Sequence, residues 1–223
     1  MTVLAFDVYG TLIDTAGVTD RLAELVGDRA AVISAQWRAK QLEYTWRYGL
    51  MGQYRDFRVC TRQALDWTCA QNDCGISETD KDGLMALYLE LPPFEDVPDG
   101  LKALKSLGFS MYAFSNGLPS DLETLLGNAG LLHLMDGIVS VDDKQSFKPN
   151  PMLYQYMVER GGSDTAGTWL VSSNGFDVCG AVAAGLNAFW VQRDSAITFD
   201  PWEFRPTRIV HGLGGIVECL ENR

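Results

Sequence analysis

Histidine, paired cysteines and positive charge are scarce in this sequence of 223 residues. The chain has only two histidines, His133 and His211, and its five cysteines lack C-x-x-C spacing. Zinc sites need several Cys and His ligands at short spacing, and disulfide frameworks use an even number of cysteines. The sequence therefore predicts neither a metal site nor a disulfide framework.

The charge balance and the hydropathy pattern restrict the class of partner. The formal net charge is −11, which argues against nucleic acids and anionic membranes, because binding to phosphate groups needs basic patches. No window approaches the roughly 18 consecutive apolar residues of a membrane-spanning helix. The first residues also lack a basic segment followed by an apolar stretch. We expect a cytoplasmic protein that binds neither nucleic acid nor membrane, although a small anion remains compatible with a few well-placed cations.

The first dozen residues contain the first candidate for chemistry. A short apolar run over 3–6 leads to Asp7 and is interrupted at Gly10. This pattern predicts a buried strand whose C-terminal end carries Asp7, at the edge where open α/β sheets bind their ligands. A single Asp in such a place more often caps the following turn. The residues at the other strand ends therefore decide between the two interpretations.

The pattern along the chain changes near Pro92-Pro93, where a helical stretch ends. Helical periodicity dominates 15–91, with an aromatic face on a helix over 29–48 and further helices over 54–69 and 78–89. Helices and strands then alternate, which indicates βαβ units and a parallel sheet. The later strands are predicted over 110–114, 137–141, 168–171 and 188–191, and the later helices over 99–106, 120–129, from 151, and over 178–184.

These elements predict an α/β fold with a Rossmann-like parallel sheet core. The core comprises 1–14 and 96–223, and 15–95 is inserted as a helical cap domain over the carboxyl edge of the sheet. Because βαβ connections are right-handed, all strand C-terminal ends meet at that edge.

Polar residues follow each predicted strand, and their arrival at one edge favours a functional site. Taken singly, these residues are common helix caps or solvated charges. Their joint placement is harder to explain in that way. Besides Asp7, they are Ser115, Asn116, Lys148, Ser172, Asn174 and Asp177.

The segment Asp7-Val8-Tyr9-Gly10-Thr11 resembles the D-x-x-x-T motif of the haloacid dehalogenase superfamily, in which the Asp is a nucleophile. Most members of that superfamily are magnesium phosphatases. Those enzymes have a second Asp where this chain has Tyr9, and a metal-binding Asp where it has Ser173. Loss of a carboxylate weakens a magnesium site, since magnesium prefers several hard oxygen ligands. A magnesium-dependent phosphatase therefore remains only as the alternative.

Residues 33–46, Ile-Ser-Ala-Gln-Trp-Arg-Ala-Lys-Gln-Leu-Glu-Tyr-Thr-Trp, resemble the cap helix of the L-2-haloacid dehalogenases almost residue for residue. The segments 114–117, 140–142, 148–149 and 171–174 match that subfamily as well. The resemblance implies hydrolysis of short L-2-haloalkanoic acids to D-2-hydroxyalkanoic acids with inversion at C2. It also implies an ester intermediate on Asp7, no metal or other cofactor, and a homodimer.

The resemblance assigns catalytic roles that stand here as expectations. Lys148 pairs with Asp7, and Asp177 orients a water molecule together with Asn174 and Lys148. Three further residues fix this geometry: Thr11, Ser172 and Tyr154.

Further residues are assigned to binding of the substrate and the halide ion. Ser115 holds the substrate carboxylate, and Arg38 and Asn116 surround the departing halide. A helical Arg among aromatic residues otherwise more often packs against a ring or forms a salt bridge. Tyr154 is counted among the binding residues as well as among those that fix the geometry.

An apolar pocket around the alkyl group and halogen is expected from Tyr9, Leu42, Phe57 and Phe176. An ordinary core position is equally compatible with Leu42 and Phe57. Ala39 and Phe176 depart from the subfamily sequence, so the substrate range stays open.

A third interpretation is a catalytically inactive scaffold whose cap helix binds another protein.

Overall fold

The protein is described from a computed structural model, which places residues 2–221. The predicted core also includes residues 1, 222 and 223, which lie outside this range. Six parallel strands form one sheet in the order β3-β2-β1-β4-β5-β6. The strands are β1 (Val3–Phe6), β2 (Ser110–Ser115), β3 (Gly137–Ser140), β4 (Thr168–Ser172), β5 (Asn187–Val191) and β6 (Arg208–Val210).

Strand β1 lies in the middle of the sheet, and all four of its residues are fully buried. Strands of parallel sheets are covered on both faces, which explains why 3–6 form a continuous apolar run. Phe6 pairs with Ala113 on β2 and with Val171 on β4. The register therefore brings the residues that follow these three strands to a common edge.

Four helices form the segment 15–95 that follows β1, here called the helical block: α1 (Ala16–Val26), α2 (Ala30–Met51), α3 (Phe57–Gln71) and α4 (Glu78–Leu87). Side chains set some of their ends, since Asp56 accepts a hydrogen bond from the backbone of Val59 at the start of α3. The other helices are α5 (Val97–Ser106), α6 (Pro119–Asn128), α7 (Pro151–Gly161), α8 (Gly175–Ala183) and α9 (Leu213–Glu221). Among residues 2–221, no helix combines the length and hydrophobicity needed to cross a bilayer.

The chain connects the helical block to the sheet through two segments that pair with each other. The backbone N–H of Asp14 donates to the carbonyl of Pro92 at 2.8 Å, and that of Phe94 donates to the carbonyl of Leu12 at 3.0 Å. From the block, Trp46 donates its indole N–H to the carbonyl of Lys148 at 3.2 Å. The helical block thus contacts the carboxyl edge of the sheet directly.

The structure corrects several boundaries. It adds α1, β6 and α9, which the sequence patterns did not delimit, and β6 was missed because it has three residues and two are exposed. Helix α8 begins at Gly175 and not at 178. Asn174, which precedes α8, makes no side-chain cap there because its amide binds Asp7.

Candidate active site

The Asp7 carboxylate is held by four side chains at the carboxyl edge of the sheet. Its Oδ2 accepts hydrogen bonds from Thr11 Oγ1 at 2.9 Å, Ser172 Oγ at 3.0 Å and Asn174 Nδ2 at 2.7 Å. Its Oδ1 faces Lys148 Nζ at 3.4 Å. These contacts come from three different strand ends, so Asp7 is more than a local turn cap. The arrangement fixes Oδ2 and leaves Oδ1 with fewer hydrogen bonds from the described residues.

Lys148 is a buried cation between two carboxylates. Its Nζ lies 2.8 Å from Asp177 Oδ2 and 2.7 Å from the carbonyl oxygen of Phe114, in addition to its contact with Asp7. Its side chain is 1% exposed, and that of Asp177 is fully buried. Buried charges are tolerated when they are paired and hydrogen-bonded. The ammonium group thus offsets the repulsion between Asp7 and Asp177.

The pKa of the Asp177 carboxyl is raised towards neutral pH. Burial raises its pKa to about 6, although the charge of Lys148 acts in the opposite direction. The hydroxyl of Tyr154 donates to Asp177 Oδ1 at 2.8 Å, and it also lies 3.1 Å from the backbone carbonyl of the same residue. Tyr154 is fully buried, and burial raises the pKa of its own hydroxyl. The structure therefore places Tyr154 as a hydrogen-bonding partner of Asp177, and its role in fixing the geometry stays a prediction.

Arg38 extends from α2 towards the same edge of the sheet. Its Nη2 donates to Asn174 Oδ1 at 3.3 Å, and Asn174 in turn binds Asp7. A single side chain therefore connects the guanidinium to the Asp7 carboxylate. Its Nη1 donates to Gln41 Oε1 at 2.6 Å, and Gln41 Nε2 donates in turn to Thr61 Oγ1 at 2.6 Å. Burial lowers the pKa of Arg38. Sequence reasoning missed the contact between Arg38 and Gln41, and the i, i+3 spacing of the two residues was the available signal.

Ser115 and Asn116 lie at the end of β2 beside this cluster. Ser115 Oγ accepts from the backbone N–H of Gly117 at 3.2 Å, and Asn116 Oδ1 accepts from the backbone N–H of Lys148 at 3.1 Å. Both side chains are buried. Ser140, another residue that was not singled out, donates to the carbonyl of Gly117 at 2.6 Å and supports this turn.

Two cavities meet at Tyr9, which lines both. One, of about 270 Å³, is also lined by Phe57, whose ring centroid lies 5.9 Å from that of Tyr9. The other, of about 390 Å³, is lined by Arg38 and Asn174. These two cavities lie beside the side chains that hold Asp7. Their size and lining suit a small substrate with one polar and one apolar end.

Phe176 lies against a different and larger cavity. Its ring packs edge-on against Trp46 with centroids 5.6 Å apart, and both line an apolar cavity of about 730 Å³. Leu42 is partly buried on α2. The expected contacts of Leu42 and Phe176 with substrate stay predictions.

The donor set at this edge does not fit magnesium. Asp7 and Asp177 both already contact the Lys148 ammonium. Ser173, where phosphatases carry a carboxylate, donates its hydroxyl to the carbonyl of Gly10 at 2.6 Å. Within residues 2–221, no group of three or more His, Cys, Asp and Glu side chains is arranged to hold a metal ion. Magnesium prefers several hard oxygen ligands in an octahedron, and this set supplies too few.

A family model described as haloacid dehalogenase-like hydrolase matches residues 1–185. The chain belongs to this family. It is 37% identical over 218 residues to an (S)-2-haloacid dehalogenase of Pseudomonas sp. (strain YL), covering 98% of this chain and 94% of that protein. It is also 37% identical to a haloacetate dehalogenase of Moraxella sp. (strain B), covering 97% of this chain and 96% of that protein.

Among solved structures, the hydrolase is similar to the L-2-haloacid dehalogenase from Xanthobacter autotrophicus with chloropropionic acid covalently bound. The TM-score is 0.89 at 33% sequence identity, and the match covers 99% of each chain. This similarity agrees with the parallel sheet and surrounding helices described above.

Proposed function

We propose that this protein removes halide by hydrolysis from short L-2-haloalkanoic acids and produces D-2-hydroxyalkanoic acids with inversion at C2. The observation that carries the proposal is the Asp7 carboxylate, fixed at Oδ2 by three donors and faced at Oδ1 by a buried Lys148. The relatives described above bear names of enzymes with this activity or of a haloacetate dehalogenase. They support the choice of substrate class.

In the first step, Asp7 Oδ1 attacks C2 from the side opposite the halogen. A carbon–oxygen bond forms, the carbon–halogen bond breaks, and the halide leaves with its electron pair. The substrate is an anion that approaches another anion, and two unit charges 4 Å apart repel by about 4 kcal/mol at an effective dielectric constant near 20. Lys148 and Arg38 supply the compensating positive charge, and Arg38 and Asn116 receive the halide.

The substrate carboxylate is bound by Ser115 and neighbouring backbone amides, and the alkyl group lies against Tyr9 and Phe57. Correct alignment contributes strongly to such a reaction, since orientation is worth roughly 7–11 kcal/mol. Three hydrogen bonds to Asp7 Oδ2 fix the plane of the attacking carboxylate. The Thr11, Ser172 and Asn174 side chains thereby determine the angle of attack.

In the second step, water hydrolyses the ester at the Asp7 carboxylate carbon. The oxygen of this water bonds to that carbon while Asp177 accepts one of its protons. The bond from the carbon to the substrate oxygen then breaks, Asp177 returns the proton to this oxygen as the hydroxy acid leaves, and Asp7 becomes a carboxylate again by losing its acid proton to solvent. A base works best when its pKa lies near the working pH, and the pKa of Asp177 is about 6. Lys148 and Asn174 orient the water and stabilise the charge that develops on the ester oxygen.

The helical block 15–95 acts in this proposal as a cap domain that supplies Arg38 and excludes bulk water. Its surface also carries exposed apolar residues, of which Leu50 is 90% and Met51 58% exposed. Exposed apolar patches often mark protein interfaces. We assign this patch to a homodimer contact.

The five cysteines are free thiols, which agrees with a reducing, cytoplasmic location.

Halide release from the two enantiomers of 2-chloropropionate, measured in EDTA, tests the proposed function. We expect release from the S (L) enantiomer and formation of R (D) lactate. Release from the R enantiomer alone, or from neither, contradicts the proposal. The phosphatase alternative instead requires magnesium-dependent hydrolysis of p-nitrophenyl phosphate, which Tyr9 and Ser173 disfavour.

A further inference from the structure

Arg193, which follows β5, joins three segments that lie apart in the sequence. Its Nη1 contacts Asp96 Oδ1 at 2.6 Å, and its Nη2 donates to the carbonyl of Thr11 at 2.8 Å. The guanidinium carbon lies 4.2 Å from the ring centroid of Phe94. Its side chain is 14% exposed. A planar guanidinium can make these contacts at once, whereas an ammonium group cannot.

The contacted segments are the loop that follows Asp7 and the returning connection from the helical block. Thr11 binds Asp7 through its hydroxyl, while its backbone carbonyl binds Arg193. Phe94 and Asp96 belong to the returning connection, which pairs with the outgoing one through the hydrogen bond from Phe94 to Leu12. Arg193 therefore contacts the nucleophile loop and the returning connection, close to the point where the two connections pair.

Asp96 extends this arrangement to the end of the chain. Its Oδ2 accepts from the backbone N–H of Leu213 at 2.7 Å, at the start of α9. A Cβ added at Gly212 would lie 2.7 Å from the same oxygen, so a larger residue there would displace Asp96. Arg193 Nε is buried without a hydrogen-bond partner among the described residues. An unsatisfied buried donor is uncommon, and the hydrogen bonds recorded for this guanidinium among the described residues come from its two terminal nitrogens.

We propose that Arg193 is a positioning residue for the reaction, which holds the Thr11 loop, and through it the Asp7 carboxylate, in the orientation needed for attack. This inference rests on the proposed function, because it concerns the same nucleophile. It adds a residue outside the strand-end motifs, which acts through a backbone carbonyl and does not touch substrate.

The test compares Arg193→Lys and Arg193→Met with Arg62→Lys as the matched control. Arg62 contacts Asp66, Glu78 and Asp82 on the helical block, and none of these carboxylates contacts Asp7 or the residues that hold it. We expect kcat for S-2-chloropropionate to fall at least tenfold in both Arg193 variants, with KM within threefold of wild type. Arg62→Lys should lower thermal stability with kcat within twofold of wild type.

A kcat for Arg193→Lys within twofold of wild type would overturn the inference. If neither Arg193 variant folds, Asp96→Asn decides, since it removes the charge of the partner and keeps its size. We expect a smaller loss of kcat in that variant, and an unchanged kcat would count against the positioning role.

Hydrogen–deuterium exchange supplies a readout that is independent of activity. Exchange over 8–14 and 92–96 should increase in Arg193→Lys, or in Asp96→Asn if the former does not fold, and stay unchanged in Arg62→Lys. Unchanged exchange in these two segments overturns the inference even if wild type releases no halide. Absence of halide release by wild type, with increased exchange in the variant, refutes the proposed function and leaves the link between Arg193 and the loop supported.

Discussion

The protein concentrates charge in two regions, which differ in their access to water. At the carboxyl edge of the sheet, Lys148 lies between Asp7 and Asp177, and all three side chains are nearly or fully buried. On the helical block, Arg62 contacts three carboxylates that are largely exposed. Exposed ion pairs are worth about 0–1 kcal/mol each, whereas removal of one partner from a buried pair costs about 3–5 kcal/mol. The buried cluster is therefore the more sensitive of the two to a single substitution.

The two regions also differ in what their geometry restricts. Asp7 Oδ2 is fixed by three neutral donors, so the carboxylate has one defined orientation. The carboxylates around Arg62 are on exposed side chains, which lose rotamer freedom when they pair. Of the two regions, only the buried one holds a carboxylate so that a single oxygen atom, Oδ1 of Asp7, remains for the proposed attack.

The largest expected effect comes from Lys148→Met. It leaves two buried carboxylates together, so we expect loss of measurable turnover and a free energy of unfolding lower by about 3–5 kcal/mol. Without Lys148 the pKa of Asp177 rises further, because its burial and the neighbouring Asp7 both oppose ionisation. A carboxyl whose pKa is raised in the folded state stabilises the fold at low pH. That stabilisation is lost as pH rises through the folded-state pKa. Denaturant unfolding should therefore find the variant less stable at pH 8 than at pH 5, and equal stability at both would contradict the charge argument.

A smaller effect is expected for Gln41→Leu, which removes the acceptor that holds Arg38. Hydrogen bonds to charged groups are worth about 1.5–3 kcal/mol, which corresponds to roughly tenfold to a hundredfold in rate. We expect kcat to fall in that range and inhibition by bromide to weaken. Thr61→Ser, which keeps the hydroxyl that Gln41 contacts, is the control. Unaltered bromide inhibition in Gln41→Leu would argue against a halide role for Arg38.

Tyr154→Phe should shift the pH profile more than it lowers the maximal rate. The Tyr154 hydroxyl donates to Asp177 and lowers the pKa of that carboxyl, which burial alone would set higher. Its removal should move the acid limb of kcat, which includes the hydrolysis step, from near pH 6 to a higher pH by up to about one unit, because a pKa shift of one unit corresponds to 1.36 kcal/mol. Activity would then be lost at a higher pH as the solution is acidified. A profile identical to wild type would show that Asp177 is not the group that titrates.

The smallest effect is expected for Arg62→Met on the exposed cluster. Each lost pair should cost no more than about 1 kcal/mol, and the difference from wild type should shrink in high salt because exposed pairs are screened. Thermal unfolding at low and high ionic strength measures this. A loss that is as large as that of Lys148→Met, and insensitive to salt, would remove the contrast between the two regions.

The site was predictable where chemistry follows the end of a strand. Asp7, Lys148 and Asp177 come together because parallel strands deliver their C-terminal residues to one edge, and the structure places them within hydrogen-bonding reach. Gln41 and Arg193 escaped because neither lies in such a motif. Gln41 acts through Arg38 and Thr61, and Arg193 acts through a backbone carbonyl of Thr11. Contacts of that kind depend on tertiary packing, which residue spacing does not specify.

The fold was predictable where hydrophobic periodicity is strong. The central strands and the long helix α2 carry clear patterns, so sequence and structure agree on them within a few residues. The short edge strand β6 does not, because two of its three residues are exposed. The sequence patterns placed the start of α8 too late. Asn174 and Asp177 are residue types typical of a helix start, but in the structure their side chains contact Asp7 and Lys148.

The central claim is that Asp7 attacks carbon and is then released by water at its own carboxylate carbon. A single turnover in water enriched in oxygen-18, with enzyme in excess over S-2-chloropropionate, tests this directly. The account predicts label in the Asp7 carboxylate, detected by mass spectrometry of the peptide that contains it, and unlabelled oxygen at C2 of the lactate. Label in the lactate hydroxyl with none in Asp7 would mean that water attacks the substrate directly, which contradicts the account.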